Sequence, residues 1–127
     1  MDKVTHFHIP ADDVDRAESF YEDIFGWDVQ DIGMEKDYRL ATTVETDETG
    51  MPKEPGAING AIYKREKPEE YPAVVINVAS IDDSIEKVIS AGGKLVAPKS
   101  EVGSWGFYAE FRDTENNLIG LWEDMQQ

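Results

Sequence analysis

Two histidines, His6 and His8, stand one residue apart near the start of the chain, and it has no others. In an extended strand alternate side chains project to the same side, so both imidazoles share a face. Such a pair is half of a metal site, or a proton shuttle working near an unperturbed pKa of ~6.5. His6 and His8 are therefore the candidate catalytic residues. A metal would need a carboxylate beside them. Glu110 is the candidate, provided that Tyr108, Glu110 and Arg112 share the histidines' side. The plainer alternative is that both histidines line a polar patch with local hydrogen bonds. The chain has no cysteine, which removes thiolate nucleophiles, zinc-thiolate centres and disulfides. No glycine-rich phosphate loop, nucleophile elbow or catalytic triad is visible.

The elements that must carry these residues follow from periodicity. Residues 4–9 alternate as a strand, which Pro10 is expected to end. Asp12 or Asp13 can cap a helix whose apolar positions are Val14, Ala17, Phe20, Tyr21 and Ile24, with Gly26 closing it. Strands are expected over 27–32, 38–44 and 57–63, with a polar loop at 45–55 that could act as a lid. Residues 64–72 are charged and hold two prolines, so they read as a linker. A strand over 73–78 follows. Then comes a helix started by Ser80 or Asp82, with Ile81, Ile85, Val88 and Ile89 inward, ended by Gly92-Gly93. Strands over 94–98, 106–112 and 117–123 complete the chain, the last two joined by a turn at 113–116.

The order is strand, helix and three strands, twice over. An offset of 67 positions sets Ile9 on Ile76, Asp15 on Asp82, Gly26 on Gly93 and Val29 on Val96. An offset of 60 sets Gly60 on Gly120. The expected class is α+β, one domain over 1–127 built of two βαβββ modules, about 1–64 and 72–127, joined at 65–71.

A length of 127 residues suits one domain with a real core. The net charge of -15 disfavours nucleic acid and anionic membranes as partners, since both need clustered Lys and Arg. With neither a signal peptide nor an apolar run of membrane-spanning length, the expected location is cytoplasmic.

His6-Phe7-His8-Ile9-Pro10-Ala11-Asp12-Asp13, then Arg16-Ala17, Phe20-Tyr21 and Phe25-Gly26-Trp27, resemble the opening of a glyoxalase-type module. Gly106-Phe107-Tyr108-Ala109, Phe111-Arg112-Asp113 and the run from Asn116 to Glu123 resemble its closing hairpin. Ala91-Gly92-Gly93 fits as well. The chain thus resembles the vicinal oxygen chelate superfamily, which includes glyoxalases, bleomycin resistance proteins and dioxygenases. The resemblance implies two modules whose mixed sheets curl around a ligand-binding cleft. It also implies, in the family's enzymes, a divalent metal held mostly by His and Glu and acting as a Lewis acid.

Each module of that family places a ligand in its first strand and one in its last. Here those positions fall on His6, Ala73, Gly60 and Gly120, and only His6 has a donor. One imidazole does not hold Zn²⁺, Ni²⁺ or Fe²⁺, so no metal or other cofactor is expected. Alternation sends His6, His8, Ile58, Ile62, Val75, Asn77, Leu118 and Trp122 into the implied cleft. Gly60 and Gly120 leave floor space, and Tyr108 and Glu110 stand beside it. That mixture suits a small-molecule pocket; the alternative is a filled sheet core. The leading expectation is a metal-independent small-molecule-binding protein, a homodimer by the same resemblance. A lyase, isomerase or dioxygenase using a His6/His8/Glu110 metal site is the second reading. A non-catalytic interaction domain is the third.

Overall fold

The computed structural model describes residues 1–34 and 37–125. Its elements run β1 (Lys3–Ala11), α1 (Val14–Phe25), β2 (Asp28–Asp31), β3 (Tyr38–Thr42) and β4 (Asn59–Lys64), then β5 (Ala73–Asn77), α2 (Ile81–Ser90), β6 (Lys94–Val102), β7 (Gly106–Arg112) and β8 (Leu118–Asp124). This is strand, helix and three strands, repeated. The chain forms two compact units, residues 6–72, and residues 73–127 together with 1–5. No helix among the described residues is long and apolar enough to cross a membrane.

In the first unit, β1 pairs in parallel with β4, and β3 bridges β4 to β2 by antiparallel pairing. The helix covers one side of this sheet. Val14, Ala17 and Tyr21 of α1 meet Phe7, Ile9, Ala11, Val29, Ala41 and Ile62 from the strands. Tyr21 stacks on Trp27 with ring centroids 4.6 Å apart. Asp13, not Asp12, is the cap: its carboxylate accepts from the Arg16 N–H at 3.0 Å. Asp12 instead pairs with Arg65 Nε at 2.9 Å, holding the linker. The linker is itself folded, since Arg65 also donates to the Glu70 carbonyl, and Glu70 accepts from the Glu66 and Lys67 amides at 2.6 and 3.0 Å. Gly26 closes α1 at φ 71°, a conformation few other residues adopt cheaply. Asp13→Ala will cost about 1 kcal/mol by leaving that amide uncapped. The check is a lower urea midpoint with an unchanged denaturant slope.

The second unit repeats the plan. Here β5 pairs in parallel with β8, and β7 lies between β8 and β6 with antiparallel pairing to both. Ile81 and, less deeply, Ile85 and Val88 of α2 pack on Ile76, Phe107, Ala109, Phe111, Ile119 and Leu121. Ser80 caps α2 by accepting from the Asp83 amide, while Asp82 pairs with Lys99 at 3.3 Å. Glu123 accepts from the Ile81 amide at 2.7 Å and tethers the helix start to β8.

Two strands run further than the sequence suggests. Pro10 lies inside β1, in register with Tyr63, because a strand tolerates proline where its ladder does not need that N–H. Pro98 lies inside β6, whose pairing with β7 shifts register between Leu95 and Ala97 and again between Ala97 and Ser100. Irregular pairing of this kind accommodates the missing donor. The 45–55 loop carries a bridge from Thr46 to Pro52, and Asp47 accepts from the Thr49 and Met51 amides at 2.9 and 3.0 Å.

Candidate functional site

In each unit the strands have one face under the helix and one facing away. In the first unit the register decides which residues share the face away from α1. His6 pairs with Asn59 and His8 with Ala61, while Leu40 pairs with Ala61 and Tyr38 with Tyr63. His6, His8, Tyr38, Leu40, Asn59, Ala61 and Tyr63 therefore lie together. Ring centroids confirm it: His8 is 6.1 Å from His6, 5.8 Å from Tyr63 and 6.5 Å from Tyr38, all edge-on.

The expected companions Gly60 and Ile62 lie on the opposite face, which is a correction to the alternation reading. Ile62 is fully buried in the helix-side core. A Cβ on Gly60 would strike the ring and the carbonyl of Phe7. Ile58, of the same parity, precedes β4, and its carbonyl accepts the Thr43 hydroxyl at 2.6 Å. The cause is the parallel pairing of β1 with β4, which sets Phe7 rather than His6 beside Gly60. The same register revises the internal repeat. Ile9 pairs with Ile62 just as Ile76 pairs with Leu121, so Gly120 corresponds to Ala61, not Gly60. The residues that sequence reading missed are Tyr38, Leu40, Asn59, Ala61 and Tyr63. Of these, Asn59 spends its amide on the backbone, accepting from the Thr43 and Val44 amides at 2.8 and 3.1 Å.

Burial sets the electrostatics here. It pulls His8 from 6.5 down to about 4, with the neighbouring His6 adding to the shift. Burial likewise raises the Tyr38 phenol above its ordinary value. At neutral pH His8 is thus a neutral imidazole and Tyr38 a neutral phenol.

In the second unit the expected residues do share the face away from α2. Val75 pairs with Gly120 and Asn77 with Trp122, while Tyr108 and Glu110 pair with Trp122 and Gly120. The Tyr108 hydroxyl donates to Glu110 at 3.0 Å. It also leans over Gly120, where an added Cβ would sit 2.7 Å from the phenol oxygen. Trp122 Nε1 donates to Asp124 at 2.9 Å, and Asn77 donates to the other oxygen of the same carboxylate at 3.2 Å. The space above Gly120 therefore holds a tyrosine, where the family resemblance implies a ligand carboxylate.

The donor set does not fit the family's metal. Ala73, Ala61 and Gly120 offer no side-chain donor. Among the described residues no three or more His, Cys, Asp or Glu side chains gather where they could hold a metal ion. Most catalytic zinc sites use three protein ligands.

Comparison with known proteins agrees with the architecture. A glyoxylase-like domain-containing protein from Didymella fabae is 32% identical over 127 residues, covering 94% of this chain and 91% of that protein. CFP32 of Mycobacterium bovis, provisionally named a glyoxylase, is 29% identical over 118 residues. That match covers 87% of this chain but spans only 41% of the mycobacterial protein. Among solved structures, a variant of Streptomyces coelicolor methylmalonyl-CoA epimerase in complex with 2-nitronate-propionyl-CoA superposes with a TM-score of 0.67 at 14% identity, over 98% of each chain. Such a distant match speaks for the glyoxalase-like α+β fold alone. The family's own sequence model matches residues 3–121. With the repeated modules and nearly the whole length matched, this chain belongs to the Glyoxalase/Bleomycin resistance protein/Dioxygenase superfamily.

Proposed function

We propose that this protein binds a small molecule through the helix-free faces of its modules and does so without a metal. The observation that supports this reading is a ligand set reduced to His6, on faces that still mix apolar and hydrogen-bonding side chains. His6, His8, Tyr38 and Tyr63 would serve in the first module, and Val75, Asn77, Tyr108, Glu110 and Trp122 in the second. Apolar walls with a few polar groups are the usual make-up of such sites. Gly120 would admit a ligand only where Tyr108 yields. A lyase, isomerase or dioxygenase running through a His6/His8/Glu110 metal centre is not favoured. Glu110 accepts from Tyr108, and among the described residues no group of three or more His, Cys, Asp or Glu side chains could hold a metal ion.

Elemental analysis tests this directly. Protein purified without an affinity tag, incubated with Zn²⁺, Ni²⁺, Fe²⁺ or Mn²⁺ and desalted, will retain far less than one metal per chain. A thermal-shift screen of neutral small molecules will find stabilising ligands, since saturation at 100 times Kd adds about 2.7 kcal/mol. One tightly held metal per chain would overturn the metal-free reading. A screen without any stabilising compound would overturn the binding reading.

A further inference from the structure

We propose that the face of the first module turned away from α1 accepts a planar aromatic group that is uncharged or cationic, and discriminates against anions. The proposal rests on the small-molecule reading above and names the ligand class for its first module.

The charge pattern of the sheet carries it. Continuing the register across four strands, the face holds Asp28 and Gln30 from β2, and Tyr38, Leu40 and Thr42 from β3. From β4 it holds Asn59, Ala61 and Tyr63, and from β1 His6, His8 and Pro10. Neither lysine nor arginine is among them. The one carboxylate, Asp28, has the Gln30 amide nitrogen 3.1 and 3.2 Å from its two oxygens. The basic residues of the same strands sit on the other side of the sheet. Arg39 reaches Asp15 at 3.0 Å and Glu18 at 3.7 Å on α1, and Lys64 donates to the Asp12 carbonyl.

An anion among these residues would shed water without gaining a lysine or arginine countercharge from them, which is costly in a half-buried setting. The chain's net charge of -15 adds a repulsive field. Aromatic rings meet no such obstacle. The Tyr63 and Tyr38 rings lie 5.8 and 6.5 Å from that of His8, and the three can take another ring by edge-to-face or offset contact. Tyrosine ring faces also attract cations.

Three probes of one shape isolate the charge: 2-naphthylmethanol, 2-naphthylmethylammonium and 2-naphthoate. Imidazole carbon–proton NMR signals of the two histidines report occupancy of this face. The alcohol and the ammonium will shift those signals and bind roughly tenfold or more tighter than the carboxylate. Thr42→Lys, which adds a cation to the face, will narrow or reverse that order. Naphthoate binding as tightly as its partners would overturn the charge discrimination and leave small-molecule binding standing. An unchanged order in Thr42→Lys would overturn the assignment of selectivity to this face. Silence from all three probes would overturn the aromatic ligand class; the broader binding reading would fall only with a blank thermal-shift screen as well.

Discussion

Lowering the pH from about 6.5 towards about 4 will remove roughly 3 kcal/mol of folding stability through His8 alone. The sign follows from proton counting. The unfolded chain takes up a proton on His8 as the pH falls through its ordinary 6.5, while the folded chain holds that imidazole neutral down to about 4. Between those values the unfolded state binds the extra proton, so stability falls with falling pH by about 1.4 kcal/mol per pH unit. The contribution is fully present above 6.5 and fully lost below 4. Asp47 and Asp113 titrate below their ordinary 3.8, outside the upper part of that window. Urea unfolding at pH 7, 6 and 5 will show the decline, and His8→Gln will flatten it by about one proton. Parallel pH slopes for the two proteins would refute the burial of a neutral His8.

That the histidines share a face was legible in the sequence, because alternation within one strand is a local property. The same held for the closing hairpin. Its turn is short, and Asp113 fixes it by accepting from the Glu115 and Asn117 amides at 2.9 and 2.8 Å. Tyr108, Glu110, Gly120 and Trp122 accordingly fall together as alternation predicts. The helix ends were readable too: Asp13 and Ser80 are residues that accept from free amides, and Gly26 is one that tolerates positive φ.

What the sequence did not reveal was which face of β4 joins which face of β1. Those strands pair in parallel across a helix and two other strands, so no local turn sets their register. A shift by one residue exchanges the two faces. This is why Gly60 and Ile62 were expected beside the histidines, while Ala61 and Tyr63 take those places. It is also why the matching of Gly60 with Gly120 looked sound. Both are glycines in the last strand of a module, yet one lies under Phe7 and the other under Tyr108.

That difference yields a second large effect. Gly60→Ala will cost about 3 kcal/mol, and Gly120→Ala only about 1 kcal/mol. Neither glycine has a positive φ, so backbone strain does not separate them. Their neighbours do. The added methyl at Gly60 meets the Phe7 carbonyl as well as its ring, and Phe7 is the residue registered with Gly60 in the parallel ladder. Relief requires β1 and β4 to move apart, against a core that includes Ile9 and Ile62. At Gly120 the nearest atoms are side-chain ones, the Tyr108 hydroxyl at 2.7 Å, its Cε1 at 2.9 Å and Val75 Cγ2 at 3.0 Å. Tyr108 can swing aside by giving up its hydrogen bond to Glu110, a loss of about 1 kcal/mol. Urea midpoints at neutral pH will rank the variants, with Gly60→Ala well below Gly120→Ala. Equal losses would show that β1 and β4 do not hold the register described here, and the shared face of His8, Ala61 and Tyr63 would fall with it.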